Sequence, residues 1–232
     1  MTGVETNWSE LADLLRGREA VLRRWTMAAG PGQRLLCLFV LAAGCGAFGA
    51  AVGSWRDPLQ AGFTALKLPL VVFLTMLGNA LLNGMLAPLL GLNLSFRQTF
   101  QLILICQTLL ALILGSFSPL AGFMVWNTPP LGAIGTAGSH SLLLLGLVCA
   151  IAFAGVAAHW RLYRFLNGLA PGSPAGRRVF WAWLGANLFL GTQIAWVLRP
   201  FVGSPGLPVA FLRPDALKGS FLESVWYALQ HL

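Results

Sequence analysis

The sequence predicts an all-α, polytopic integral membrane protein with five transmembrane helices and an amphipathic helix at each terminus. Three observations predict it: 57% of the 232 residues are hydrophobic, only 9% are charged, and the charges bracket long uninterrupted apolar runs. A soluble domain carries about a quarter charged residues. Fifteen basic and seven acidic side chains cannot cover the exterior of one this size, so a soluble enzyme is excluded. The mean hydropathy of +0.74 agrees.

Residues 1–32 form an amphipathic segment. Trp8, Leu11, Leu15, Leu22 and Trp25 recur at helical spacing with Arg16, Glu19 and Arg23 on other faces. A helix over Trp8–Met27 is expected to lie in the cytoplasmic leaflet, indoles at headgroup level and arginines toward anionic lipid, until Gly30-Pro31-Gly32 turns the chain. The first apolar run begins only at Leu35, after four acids and five arginines. This is no signal peptide, and the segment is expected to be retained.

Four charge-free runs follow: Leu35–Trp55 (21 residues), Leu68–Phe96 (29), Gln98–Trp160 (63) and Val179–Leu198 (20). A bilayer needs about 20 apolar residues per helix, and the longest run is divided by Asn127-Thr128-Pro129-Pro130-Leu131-Gly132. The spans are therefore placed at about 35–55, 68–91, 99–125, 139–158 and 179–198.

In the first span Ala42, Gly46, Gly49 and Gly53 share roughly one face and include a GxxxG. Such a face marks a close helix contact, either within the chain or in a homo-oligomer through Gly46, Gly49 and Gly53. Thr75, Asn79 and Asn83 make a polar stripe at i, i+4 and i+8 on the second span, a face that avoids lipid. Gln101, Gln107 and Thr108 on the third span, and Asn187, Thr192 and Gln193 on the fifth, are positioned to answer it by interhelical hydrogen bonds. The stripe reads as bundle-holding polar contacts or as a solute path. Gly115-Ser116-Phe117-Ser118-Pro119 predicts a kink in the third span, serine hydroxyls satisfying carbonyls that Pro119 frees.

The C-terminal region, 199–232, is uncharged between Arg199 and Arg213 and holds Pro200, Pro205, Pro208 and Pro214. It is too short and broken to span. Asp215 is the expected N-cap of a following amphipathic helix whose stripe is Leu217, Phe221, Val225, Leu229 and Leu232. Leu217, Phe221, Val225 and Leu229 are the candidate docking residues, for a partner subunit or for lipid.

Basic residues set the orientation. Five spans gather Arg16, Arg18, Arg23, Arg24, Arg34, Arg97, Arg161, Arg164, Arg177 and Arg178 on one side, leaving Arg56, Lys67, Arg199, Arg213 and Lys218 on the other. The positive-inside rule then puts the N-terminus in the cytoplasm and the C-terminus outside a cell inner (plasma) membrane. These arginines sit at helix ends without forming a basic face, so no nucleic-acid partner is expected.

Between Glu19 and Asp215 the only carboxylate is Asp57. The spans therefore offer no paired carboxylates for acid/base work, no acid for proton coupling and no oxygen-rich cation cage. His140 and His159 lie roughly 28 Å apart along one helix at 1.5 Å per residue and cannot share a metal or haem. Each reads as a helix-end histidine, or as a ligand shared with a partner. Cys37, Cys45, Cys106 and Cys149 all fall in spans without a CxxC pair and read as small packing residues. Gly138-Ser139-His140-Ser141 has no acid nearby to orient its histidine as a nucleophile's base would require. The expectation is a protein without enzymatic activity or cofactor.

The stretch Gly91-Leu92-Asn93-Leu94-Ser95-Phe96-Arg97-Gln98-Thr99-Phe100, leading into a kinked helix with Ser118-Pro119, together with five spans and an amphipathic N-terminus, resembles the bacterial branch of the Yip (Rab-interacting) membrane-protein family over residues 56–198. The Pro-rich segments Leu198–Pro205 and Phe211–Pro214 depart from that pattern. The resemblance implies a membrane scaffold or adaptor without chemistry of its own. The functional expectation is an accessory or scaffold subunit of a larger membrane complex, with other membrane subunits and lipids as partners. A small-solute channel or transporter using the Thr75/Asn79/Asn83 face, and a lipid-interacting membrane-shaping protein, are the alternatives.

Overall fold

The computed structural model describes residues 2–129, 136–203, 207–221 and 223, the side chains of 2–7 and 136–141 excepted. Among them the regular structure is all helical: α1 (Thr2–Leu15), α2 (Glu19–Ala28), α3 (Pro31–Gly53), α4 (Pro58–Leu89), α5 (Phe96–Ser116), α6 (Ser118–Trp126), α7 (Thr136–Leu169) and α8 (Ala175–Leu198).

The helix starts are written locally. Pro31 opens α3 behind Gly30, whose N–H donates to Gln33 Oε1 at 2.9 Å. Asp57 caps α4 by accepting from the Leu59 N–H at 2.7 Å, with Pro58 in the first turn. Ser95 and Gln98 form a reciprocal capping box on α5. Each device satisfies N–H groups that the first turn leaves without partners.

Among the described residues four helices are long and apolar enough to cross a membrane: α3, α4, the α5–α6 pair and α7. The expected fifth span, 179–198, is the helix α8, but Asn187, Thr192 and Gln193 break its apolar run. Two helices overrun their expected limits. Helix α4 begins at Pro58, ten residues before the expected 68, so Lys67 lies inside a helix and not in a flanking loop. Helix α7 runs to Leu169, past the expected 158, which puts His159 well inside the helix instead of at its end. The kink falls at Phe117, between α5 and α6. Ser116 donates at 2.7 Å to the Ile113 carbonyl, which also accepts from the Phe117 N–H, and Ser118 Oγ has no partner, so neither serine satisfies the Gly115 carbonyl that Pro119 frees.

Helix α5 is the axis of the bundle. From Gln101 to Ala111 every side chain is buried, because α3, α4 and α7 pack around it and α8 closes the ring between α4 and α7. The small-residue face of α3 meets α4. A Cβ on Gly49 would overlap the Thr64 carbonyl, and one on Gly53 would lie 2.8 Å from the Gln60 carbonyl. Of the two contacts expected for Gly46, Gly49 and Gly53, the one within the chain is present, with α4. On the next face a Cβ on Gly44 would overlap the Ala111 carbonyl of α5.

Both termini differ from expectation. The single helix expected over Trp8–Met27 is two, because the chain turns at Gly17 with φ +77°, a conformation open to glycine. Leu11, Leu14 and Trp25 face protein instead of lipid: Trp25 is fully buried and its Nε1 donates to Glu10 Oε2. At the other terminus residues 214–217 form a turn and Asp215 caps no helix; it pairs with Arg199 at 3.2 Å. Phe221 and Glu223 are helical, with Ser220 Oγ accepting from the Glu223 N–H. Val225, Leu229 and Leu232 lie outside the described residues.

Candidate functional site

Polar side chains converge at two levels of the bundle. At the first, Thr75, Asn79 and Asn83 project from successive turns of α4 and are all buried. Asn83 Nδ2 donates to Asn79 Oδ1. Asn79 Nδ2 donates to Asn187 Oδ1 of α8 at 3.1 Å, and Gln107 Nε2 of α5 donates to the same oxygen at 2.8 Å. An amide oxygen has two lone pairs, and Asn187 thereby joins three helices.

Not every polar residue of the expected set enters this junction. Thr75 Oγ1 and Asn83 Oδ1 are buried without a partner, as is Gln193 Nε2, so Thr75 and Gln193 stay outside the network. Gln101 is engaged elsewhere. Thr108 donates to the Leu104 carbonyl of its own helix at 2.8 Å and reaches the Cys37 carbonyl at 3.5 Å. Thr192, exposed, bonds only back to its own helix.

The second level was not foreseen from the sequence. Gln60, Thr64 and Lys67 lie at i, i+4 and i+7 on the first turns of α4, each with no exposed surface. They hold the backbone that leaves α8. Gln60 Nε2 donates to the carbonyls of Pro200 (3.2 Å) and Phe201 (3.0 Å), Thr64 Oγ1 also donates to the Phe201 carbonyl, and Lys67 Nζ donates to Pro200 O at 2.9 Å. The Lys67 ammonium also lies 5.0 Å from the ring centre of Phe211, an attraction that strengthens where water is excluded. Phe211 meets Phe63 edge to face at 5.4 Å.

Further ties fix the same strap. Arg56 donates to the Leu207 carbonyl at 3.0 Å. Arg199 stacks on Trp196 and pairs with Asp215, and Trp196 Nε1 donates to the Lys218 carbonyl. The described residues beyond α8, 200–203 and 207–218, thus pack over the end of their own bundle. Of the four docking candidates, Leu217 is 85% exposed and Phe221 40%.

At the opposite end Glu10 organises the α1–α2 hairpin, accepting from Trp25, Arg24 and Gln33. Arg161 of α7 donates to the Leu15 carbonyl, fastening the hairpin to the bundle. Arg34 of α3 donates to Gln101 Oε1 at 3.2 Å and to the Ala29 carbonyl at 3.2 Å, and Arg97 of α5 reaches the same carbonyl at 3.4 Å.

The remaining reactive side chains are dispersed. Cys37, Cys45 and Cys106 are buried and Cys149 is exposed. His159 is buried with Nδ1 2.8 Å from the Gly155 carbonyl. The His140 side chain lies outside the described residues. Among the described residues no three of His, Cys, Asp and Glu come together as a metal site. A cavity of about 320 Å³ between α3, α6 and α7 is walled by Phe48, Val52, Phe117, Met124, Leu143 and Phe153. Comparison with protein-family models, with curated proteins and with solved structures finds no match.

Proposed function

We propose that this chain is a multi-pass membrane protein without enzymatic activity, acting as a scaffold or accessory subunit of a larger complex in a bacterial-type inner membrane. The observation that carries the reading is the junction at Asn187. Its single amide oxygen closes the polar faces of α4 and α5 on each other, as expected of groups that hold a bundle together. The outer surface supports the membrane setting: Leu81, Met85, Leu89, Val148, Val156 and Trp160 are all exposed. Apolar patches of that extent need lipid or a partner.

In this reading α8 is the fifth span. Its 24 residues reach roughly 36 Å at 1.5 Å per residue, and its polar side chains Asn187 and Gln193 turn away from lipid. Five passes with the arginine-rich side in the cytoplasm place the N-terminus inside and the strap outside. A periplasm-dependent reporter fused after Leu232 should be active, and activity of a cytoplasm-dependent one there would reverse the orientation.

A solute path along α4 is the second reading. It is favoured by the buried, unpartnered Thr75 Oγ1, Asn83 Oδ1 and Gln193 Nε2, since such atoms are costly unless water or a solute reaches them. Proteoliposomes carrying the chain alone separate the two. The scaffold reading expects no solute flux, together with stoichiometric co-purification of other membrane subunits in mild detergent. Flux that Asn79→Leu abolishes without loss of folding would replace it by the channel.

A further inference from the structure

Helices α3 and α5 run parallel and adjacent, so their N-termini emerge side by side at the α1/α2 end. Each helix start carries a partial positive charge from its aligned peptide dipoles. Arg34 stands in the first turn of α3 and Arg97 in the first turn of α5, and the two guanidinium groups converge on the one carbonyl of Ala29. Like charges brought this close repel unless something negative lies between them.

The protein itself supplies no such charge among the described residues. The acids of the hairpin are engaged elsewhere: Glu10 with Arg24, Asp13 with Arg16 and Arg18, and Glu19 with Arg164. A guanidinium has five N–H donors. Arg34 places two of its nitrogens, and Arg97 one, in hydrogen bonds to protein. A further donor belongs to the same cluster. Gln101 is 1% exposed, its Oε1 accepts from Arg34, and its Nε2 is buried with no partner.

We propose that Arg34, Arg97 and Gln101 Nε2 bind the phosphate of an anionic phospholipid of the phosphatidylglycerol type, whose acyl chains lie along the outer face of α3. Arginine forks match phosphate oxygens two at a time, and basic pockets between helix ends select anionic headgroups. The lipid is chosen over a soluble phosphate because of what adjoins the site. Leu35 and Phe39 follow Arg34 on α3, one turn apart and 66% and 61% exposed, and Phe96 beside Arg97 is 52% exposed. A soluble ion would gain nothing from that apolar stripe.

The inference rests on the reading of the chain as membrane-spanning, which carbonate extraction of membranes tests separately, so that its failure leaves that reading standing. The test is native mass spectrometry of the full chain in detergent with phosphatidylglycerol, phosphatidylcholine or inorganic phosphate added. The wild type should retain phosphatidylglycerol about tenfold better than phosphatidylcholine. Arg34→Gln with Arg97→Gln should bring the two lipids within about twofold, while Arg177→Gln with Arg178→Gln, at the same end on α8, should leave the preference intact. Arg97→Gln alone gives up a single 3.4 Å contact and so tests the site even where the double variant does not fold; it should lower the preference several-fold. Unchanged selectivity in Arg97→Gln overturns the proposal, as does displacement of the lipid by equimolar inorganic phosphate.

Discussion

The ammonium of Lys67 donates to the carbonyl of Pro200 at 2.9 Å, across 133 positions of sequence, from a side chain with no exposed surface. A cation buried among Gln60, Thr64, Phe211 and backbone carbonyls works as a clamp: it holds the strap to the first turns of α4.

Replacing it separates local docking from global stability. Lys67→Met keeps the stem's volume and removes the charge, so the cost of desolvating an ammonium disappears together with a charge-assisted hydrogen bond of about 1.5–3 kcal/mol. Thermal stability in detergent should change little. The strap should open more often, and tryptic cleavage after Lys218 should quicken about tenfold. Cleavage at the wild-type rate would show that Gln60 and Thr64 hold the strap unaided.

The junction on α8 should behave in the opposite way. Asn187→Leu removes the acceptor of two buried donors, Asn79 Nδ2 and Gln107 Nε2, at a cost of about 1–3 kcal/mol, nearer the lower figure because interhelical bonds in membranes average about 0.6 kcal/mol. Gln193→Leu removes an amide whose Nε2 has no partner and should be neutral or mildly stabilising. Melting curves in detergent compare the two, and a Gln193→Leu loss equal to that of Asn187→Leu would contradict the assigned network.

What the sequence disclosed divides along physical lines. Thr75, Asn79 and Asn83 were legible because they interrupt an apolar run at helical spacing, and a lone polar residue there needs a partner. Gln60, Thr64 and Lys67 are also at helical spacing, but they precede the charge-free run, where Lys67 reads as a loop residue marking topology. Their partners are backbone carbonyls of Pro200 and Phe201, which leave no trace in the pattern of side chains. Trp25 misled for a related reason. A tryptophan among leucines and arginines fits an interfacial helix and a buried hairpin equally well, and the deciding contact, Glu10, lies on the other side of the Gly17 turn. Arg34 and Arg97 were read only as topological charge, since their shared carbonyl appears once α3 and α5 are seen to start side by side.

Close packing on α3 gives a graded expectation. Gly44→Ala and Gly49→Ala drive a methyl into the backbone carbonyls of Ala111 and Thr64, which cannot rotate away, and each should cost about 1–3 kcal/mol. Gly46→Ala would place its Cβ 3.3 Å from the Ala65 carbonyl and should cost less. Gly62→Ala on α4 meets open space and should be neutral, or gain up to about 1 kcal/mol from helix propensity. The order in detergent melting temperature should be Gly62→Ala, Gly46→Ala, then the other two. A tolerant Gly49 would mean that α3 and α4 can separate.

Truncation after Arg199 separates a free tail from one that the bundle needs. Read as sequence, the Pro-rich tail is an appendage for a partner, and its removal should spare the bundle. The structure gives its first two residues an internal duty: the carbonyls of Pro200 and Phe201 accept from Gln60, Thr64 and Lys67. Without them the Lys67 ammonium loses its carbonyl acceptor, while Gln60 and Thr64 keep only the bonds between themselves, Gln60 Nε2 to Thr64 Oγ1 and Thr64 Oγ1 to the Gln60 carbonyl, so the penalty falls mainly on the buried charge, at about 1–3 kcal/mol or more. Water entering at that end would relieve part of it by loosening the first turns of α4 from α3, where Gly53 lies close to Gln60. The truncated chain should therefore insert but melt well below the full chain, while a shorter truncation after Gly219, which keeps the clamp and removes Phe221, should melt close to the full chain and lose only whatever assembly Phe221 supports. Equal melting of the Arg199 truncation and the full chain would return the tail to the role of a free appendage.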